Sequence, residues 1–201
     1  LALRGLHDRA MNASNDMGDR KDMLQEALMA QRQMLIDAIG KPGEEIPQAF
    51  TPYKEVLDVY DEGLELPDDV TIIWPDDNYG YMKRLSSPKE QKRSGRSGVY
   101  YHSSYLGKPH DHLWMNTVSP TLMYEELRKA YDATADRIWL LNAGDIKSCE
   151  FAVDYFLTMA FDIDAFNFER AANYRTEWLC GMLGDQYRNE YQDVVNSFYK
   201  L

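Results

Sequence analysis

The sequence predicts an α/β fold in which parallel strands alternate with helices, as in an open parallel sheet or a (β/α)8 barrel. Short apolar runs rich in β-branched residues recur along the chain, and amphipathic stretches separate them. Polar side chains follow the apolar runs, always at the same end. About five strands can be counted, so an eight-stranded barrel would lack its first three and the chain would be its C-terminal part.

Local residue patterns justify each element in turn. The predicted elements, in chain order, are the end of a strand at 1–5, a helix at 20–40, a strand near 48–53, a short helix ended by Gly63, a buried strand at 70–74, extended segments at 98–105 and 111–116, a helix at 119–136, a strand at 137–145 and mostly helix from about 148. Gly40 suits the end of the first helix, whereas Ser119 and Pro120 suit the start of a later one.

Composition and charge exclude several classes of protein. The chain has 33 acidic and 22 basic residues and a net charge of -11, which does not suit binding to nucleic acid phosphates. The sequence has neither a basic amphipathic stretch nor an apolar run of membrane-spanning length. Its 14 Tyr, 4 Trp and 7 Phe suit the faces of sugar rings, with plain core packing as the alternative. Cys149 and Cys180 are interpreted as buried, small apolar residues.

Clusters of polar residues after the predicted strands indicate one functional rim. The clusters are Arg4 to Asp8, Tyr53 to Glu55, Asp76 to Asn78, His102 to Tyr105, and Asn142 to Asp145. In parallel sheets and barrels, ligands bind at the carboxyl ends of the strands. A single cluster could be a helix cap, but five clusters are explained more simply as parts of one site.

Two carboxylates on such a rim suit general acid/base chemistry, of which glycoside hydrolysis is the leading case. Glu55 precedes two apolar residues and is predicted to end a buried strand, where desolvation would raise its pKa. Asp8 lies among two arginines and a histidine and is predicted to stay ionised. For either residue, a helix cap or a surface salt bridge is the alternative.

Other chemistries have weaker support. His110 and His112 form an HxH pair that could bind zinc from one face of a strand, but spacing fixes no third ligand, so no metal is predicted. The segment KRSGRSG lacks the spacing of a phosphate-binding loop and is interpreted as a solvated loop. The sequence contains no GxSxG nucleophile motif.

Several long motifs resemble glycoside hydrolase family 115, the xylan α-1,2-glucuronidases. They are LRGLHD, FTPYKEV, IWLLNAGDIK and the stretch LPDDVTIIWPDDNYGYMKRLSSPKEQKRSGRSGVYYHSSYLGKPHDHLW. The resemblance covers about residues 1–165, which are expected to form the C-terminal portion of a (β/α)8 catalytic barrel. Residues 166–201 are expected to form a helical extension that packs on or follows the barrel.

The resemblance implies a multidomain enzyme that removes glucuronic acid or its 4-O-methyl ether from xylan with inversion. It implies Glu55 as a catalytic carboxyl, with general acid as its preferred role, and Asp8 as its partner. The substrate-binding residues that it implies are Arg4, Tyr53, Asp76, Asn78, His102, Tyr105 and Asn142. Asp76 and Asn78 are expected to face the ligand from alternate positions of PDDNYG, with Asp77 structural.

The expected partner is glucuronoxylan or its oligosaccharides, without cofactor, nucleic acid or membrane, and a homodimer is left open. Family habit implies a secreted or periplasmic protein, and the start at Leu1 is interpreted as a cut. The alternative function is a non-catalytic carbohydrate-binding or structural segment of a larger protein, because part of a barrel need not close a working site.

Overall fold

The computed structural model describes residues 10–11, 15–103 and 116–200, together with the backbone of the pairs 105–106 and 111–112. The helices are α1 (Met17–Ile39), α2 (Glu55–Asp61), α3 (Pro120–Asp132), α4 (Glu150–Phe161), α5 (Phe168–Leu183) and α6 (Arg188–Phe198). The strands are β1 (Ala49–Phe50), β2 (Thr71–Pro75), β3 (Ser97–His102), β4 (Tyr105–Leu106), β5 (Asp111–His112) and β6 (Ala135–Asn142). Short 3-10 helices occur at Gly43–Glu45, Glu90–Lys92, Ile163–Ala165 and Asp185–Tyr187.

Four strands form the main sheet in the order β1-β2-β3-β6, and β4 pairs antiparallel with β5. β1 and β2 are parallel, with Ala49 opposite Thr71. Backbone hydrogen bonds align the other strands. Ile72 N donates to Arg96 O, Asp76 N to Tyr100 O, Ser97 N to Thr134 O and Ser103 N to Asn142 O. These pairs advance in the same direction on both partners, so the four strands are parallel and the predicted α/β architecture is confirmed.

By contacts between Cα atoms, the chain divides into two compact units. The first unit comprises the described residues of Leu1–Pro75, Arg84–Gly98 and Ala133–Ile138, and the second those of Asp76–Lys83, Val99–Asp132 and Trp139–Leu201. The boundary between the two units falls inside β3, inside β6 and directly after the last residue of β2. The residues that follow the carboxyl ends of β2, β3 and β6 therefore belong to the second unit.

The core of the first unit forms between α1, α2 and the adjoining strands. Its buried residues are Leu24, Leu28, Phe50, Val56, Val59, Leu64 and Val70. Gly40 ends α1 with φ 71° and donates its N–H to Ile36 O at 2.8 Å, as the sequence predicts. Trp74 on β2 is fully enclosed, and the Arg84 guanidinium lies 4.5 Å from its ring centroid.

Several aromatic side chains are buried in the core of the second unit. The Tyr155 hydroxyl donates to Pro120 O at 2.8 Å, and the Tyr124 hydroxyl donates to Phe166 O at 3.2 Å, which ties α3 to the later helices. Tyr155 also meets the Tyr174 ring edge-on at 4.9 Å. Core packing therefore explains these rings, whereas the sugar-binding interpretation is left to aromatic residues at the rim.

Element boundaries agree with most of the sequence predictions. Ser119 Oγ accepts from Leu122 N at 3.2 Å, so the predicted start of α3 is confirmed. Cys149 and Cys180 are buried free thiols, as predicted. The expectation that Glu55 ends a strand is wrong, because β1 stops at Phe50 and Glu55 is the first residue of α2. Within the described residues, no helix is long and apolar enough to span a membrane.

Candidate functional site

The chain after β2 forms a tight turn rather than an extended segment. Asp77 holds this turn, because its Oδ1 accepts from Tyr79 N at 2.8 Å and from Tyr81 N at 3.1 Å. Asp77 N also donates to Tyr81 O at 2.9 Å, and Asp76 forms an isolated bridge to Met82. The predicted structural role of Asp77 is confirmed.

The turn changes the direction of the residues around Asp77. Asn78 and Gly80 have φ values of 66° and 96°, in the left-handed region. The alternation expected for an extended segment is therefore wrong, because such a bend does not send residues 76 and 78 to the same side. At Gly80, a Cβ atom would lie 2.9 Å from Val118 Cγ1, so this position requires glycine for space as well as for φ.

Asp76 and His102 form a fully enclosed pair where β2 and β3 end. Asp76 Oδ1 lies 2.6 Å from His102 Nδ1, and Asp76 Oδ2 accepts from His102 N at 3.0 Å. The two side chains are 0% and 1% exposed. Asp76 Oδ1 also accepts from Asn78 N at 3.2 Å. The Asp76 carboxylate therefore holds both the ring and the backbone of His102, and contact between Asp76 and a ligand stays a prediction.

A second polar layer joins the end of β3 to the end of β6. Asn142 Nδ2 donates to the Tyr100 hydroxyl at 2.8 Å, and Asn142 O accepts from Ser103 N at 2.9 Å. The Tyr100 ring lies 4.4 Å from the His102 ring, with an angle of 53° between their planes. The structure thus brings Asp76, Asn78, His102 and Asn142 together within the second unit.

Tyr53 and Glu55 lie in the first unit, Tyr53 between β1 and α2 and Glu55 as the first residue of α2. Both are partly buried. Lys54, between them, has φ 53° and ψ -122°, a conformation that a residue with a Cβ atom rarely adopts. Such strain costs about 1–3 kcal/mol and is concentrated at functional sites. The strained residue directly before Glu55 therefore supports a functional role for this segment.

Three predicted site residues cannot be placed by their side chains. Arg4 and Asp8 lie outside the described residues, and Tyr105 is described only by its backbone in β4. The weaker zinc interpretation has the same status, since His110 lies outside the described residues and only the backbone of His112 is described. Where side chains are described, no group of three His, Cys, Asp or Glu residues could hold a metal ion.

Three residues that support the rim were not predicted individually as site residues, although one of them, Ser103, lies within the cluster from His102 to Tyr105. Tyr100 packs on His102, Ser103 binds the backbone of Asn142, and Glu126 Oε2 accepts from Met82 N at 2.8 Å at the end of the turn. Tyr100 could have been found, because residues two apart on a strand share a face and His102 was already a candidate. Glu126 is on α3 and carries no signal in the sequence that links it to this turn.

A cleft of about 690 Å³ lies elsewhere in the first unit, beside the segments that precede β2 and β3. Its lining includes Tyr60 and Glu90, and the Tyr60 hydroxyl donates to Glu90 Oε1 at 2.7 Å. Burial alone would raise the pKa of the Glu90 carboxyl. Hydrogen bonds from Tyr60, Ser87 and Arg84 outweigh burial, so the pKa of Glu90 lies below its usual value. The Glu90 carboxylate is therefore engaged in structural hydrogen bonds. The cleft also lies beside the amino ends of β2 and β3, whereas parallel folds bind ligands at the carboxyl ends of their strands.

Comparison with known proteins identifies relatives of the whole described fold. The family model described as "Glycosyl hydrolase family 115" matches residues 1–201. A search of curated proteins found no match.

A solved structure is similar over the full chain. It is that of a family GH115 4-O-methyl-α-glucuronidase, BtGH115A, with specificity for decorated arabinogalactans. The two chains are 40% identical and superimpose with a TM-score of 0.93 over 100% of the present chain. The match covers 26% of the solved chain, so the present chain spans about a quarter of that relative's length.

Proposed function

We propose that this chain, which belongs to glycosyl hydrolase family 115, supplies part of the catalytic region of a glucuronidase. The enzyme would remove glucuronic acid or 4-O-methylglucuronic acid side groups from a polysaccharide. The observation that carries the proposal is the match of the full chain, at 40% identity, to a 4-O-methyl-α-glucuronidase. The polar layers at the ends of β2, β3 and β6 support it, because parallel folds bind ligands at that end.

Glu55 is proposed as the general acid and Asp8 as the general base of an inverting reaction. Glu55 would protonate the glycosidic oxygen as the bond to the anomeric carbon breaks, and Asp8 would remove a proton from the attacking water. Such a water needs space, so the two carboxyl groups would stand about 6.5–9.5 Å apart. Arg4 would pair with the uronate carboxylate of the substrate or with Asp8.

The remaining predicted residues would bind and orient the uronic acid. His102, Asn78 and Asn142 offer hydrogen-bonding groups, and Tyr53 and Tyr105 offer ring faces for a sugar. Asp76 would contribute by holding His102. The proposed site needs neither a metal nor an organic cofactor, since in the single displacement by water one carboxyl group supplies the proton to the leaving oxygen and the other accepts the proton of the water.

Glucuronoxylan is the proposed substrate, and a uronate-decorated arabinogalactan is the second candidate. The first follows from the motifs in the sequence, and the second from the specificity stated for the solved relative. A secreted or periplasmic location is proposed with either, because polymers of this size lie outside the cytoplasm.

The substrate can be tested with the full-length enzyme on matched oligosaccharides. One set would come from 4-O-methylglucuronoxylan and the other from glucuronate-capped arabinogalactan, with released uronic acid measured by anion-exchange chromatography. We expect the higher kcat/KM on the xylan-derived set. A higher kcat/KM on the arabinogalactan set would favour uronate-decorated arabinogalactan as the substrate. If neither set released uronic acid, the proposed function would be contradicted.

A further inference from the structure

Hydrogen bonds hold both the backbone and the side chain of Asn142, the last residue of β6. Its Nδ2 donates to the Tyr100 hydroxyl at 2.8 Å. Its backbone oxygen accepts from Ser103 N at 2.9 Å and from Ser103 Oγ at 3.2 Å. Ser103 therefore fixes the position of Asn142 at the end of the strand, and Tyr100 fixes the direction of its amide group.

The side-chain oxygen of Asn142 is the atom that these contacts leave for a ligand. Within the part of the chain that the structure describes, the amide group bonds through Nδ2, and no hydrogen bond ends on Oδ1. The oxygen and the nitrogen of an amide lie on opposite sides of its carbon, so Oδ1 is turned away from the Tyr100 hydroxyl. Asn142 is only partly buried, and it lies at the carboxyl end of β6, where parallel folds bind ligands.

The Tyr100 side chain is itself held in place. The centroid of its ring lies 4.4 Å from that of the His102 ring, and its backbone oxygen accepts from Asp76 N at 3.1 Å within the sheet. A tyrosine has only two side-chain torsion angles, so few contacts are needed to fix its hydroxyl group. The acceptor that receives Asn142 Nδ2 is therefore at a defined place.

We propose that Tyr100 is a positioning residue that orients the Asn142 amide, so that Asn142 Oδ1 accepts a hydrogen bond from a hydroxyl group of the bound uronic acid. This inference rests on the proposed function. It gives Tyr100 no contact with the substrate, and it gives Asn142 a stated atom and a stated direction of hydrogen bonding. Without the Tyr100 hydroxyl, the amide could rotate and exchange the places of its oxygen and its nitrogen, which would weaken substrate binding.

A double-mutant cycle in the full-length enzyme tests the coupling between the two residues. The variants are Tyr100→Phe, Asn142→Ala and the combination of both, with kcat and KM measured on a uronate-bearing oligosaccharide. Phenylalanine keeps the ring beside His102 and removes only the hydroxyl group. We expect Tyr100→Phe to raise KM about three- to ten-fold, as for the loss of one hydrogen bond, with kcat close to that of the wild type. Adding Tyr100→Phe to Asn142→Ala should cause no further change, because residues that act as a unit are not additive.

Tyr155→Phe is the matched control, because it removes a tyrosine hydroxyl from a hydrogen bond of the same length in the core. The Tyr155 hydroxyl donates to Pro120 O at 2.8 Å. We expect Tyr155→Phe to lower the melting temperature and to leave KM close to that of the wild type. Tyr100→Phe should show the opposite pattern, with a raised KM and a melting temperature close to that of the wild type. This contrast separates a positioning role from a purely structural one.

A wild-type KM in either Tyr100→Phe or Asn142→Ala would overturn the inference. A several-fold further rise in KM when Tyr100→Phe is added to Asn142→Ala would also overturn it, since Tyr100 would then act by another route. If Asn142→Ala does not fold, Asn142→Leu takes its place with the same expectations, because leucine has about the size of asparagine and no polar side-chain atom. A wild-type enzyme that releases no uronic acid would instead contradict the proposed function.

Discussion

Replacing Glu55 by Gln in the full-length enzyme is expected to lower the release of uronic acid by about 10²- to 10⁴-fold, the usual contribution of a general acid. Glutamine has the size of glutamate but no transferable proton, so the fold should persist while protonation of the leaving oxygen is lost. The position supports this role, since Glu55 begins α2 directly after the strained Lys54. The measurement is kcat/KM on a glucuronoxylan oligosaccharide, together with the melting temperature.

Glu62→Gln provides the control for the same helix. Glu62 is the exposed residue that caps the end of α2, so its neutral analogue should leave both activity and melting temperature close to those of the wild type. Activity of Glu55→Gln within a few-fold of the wild type, at an unchanged melting temperature, would remove Glu55 from the catalytic role.

Replacing Trp74 by Ala is expected to destabilise the unit around β2 by about 3–5 kcal/mol, the usual cost of truncating a buried aromatic residue. Trp74 is 0% exposed, and its Nε1 donates to Ser86 Oγ at 2.9 Å. The truncation would leave a cavity, remove one of the two hydrogen bonds of the Ser86 hydroxyl and take away one of the two aromatic rings against which the Arg84 guanidinium packs. Calorimetric melting of the full-length protein measures the loss.

Trp178→Ala is a control of equal chemistry on α5. Trp178 is only partly buried and meets the Phe151 ring edge-on at 5.8 Å. Its truncation removes less apolar surface from contact with the protein, so a smaller loss is expected. Equal melting temperatures for the Trp74→Ala variant and the wild type would contradict the central place of Trp74 in the core.

The fold could be predicted well where the pattern of apolar residues is strong. The run from Val70 to Trp74 has almost no polar character, and burial on both faces of a parallel sheet explains that pattern. Where an element is short, the prediction was less accurate. β1 has only two residues, Ala49 and Phe50, which is too short for a clear apolar pattern, so the sequence predicts Glu55 at the end of a strand instead of at the start of a helix.

The candidate site could be predicted in its residue types but not in its geometry. The motif residues Asp76 and His102 were both expected at the rim, yet their pairing depends on the register of β2 against β3, which the sequence does not state. The left-handed conformation of Asn78 was also hidden, because most asparagines occupy ordinary backbone regions. The direction of the side chains in PDDNYG was consequently wrong.

Proton NMR during digestion of a glucuronoxylan oligosaccharide by the full-length enzyme tests the central proposal most directly. The first uronic acid released from an α-linkage should be the β anomer, since a single displacement by water inverts the anomeric carbon. The signal of the α anomer should then grow only as the free sugar mutarotates, while the xylan backbone keeps its length. Release of the α anomer first would contradict inversion, and the absence of free uronic acid would contradict the assignment of the chain to a glucuronidase.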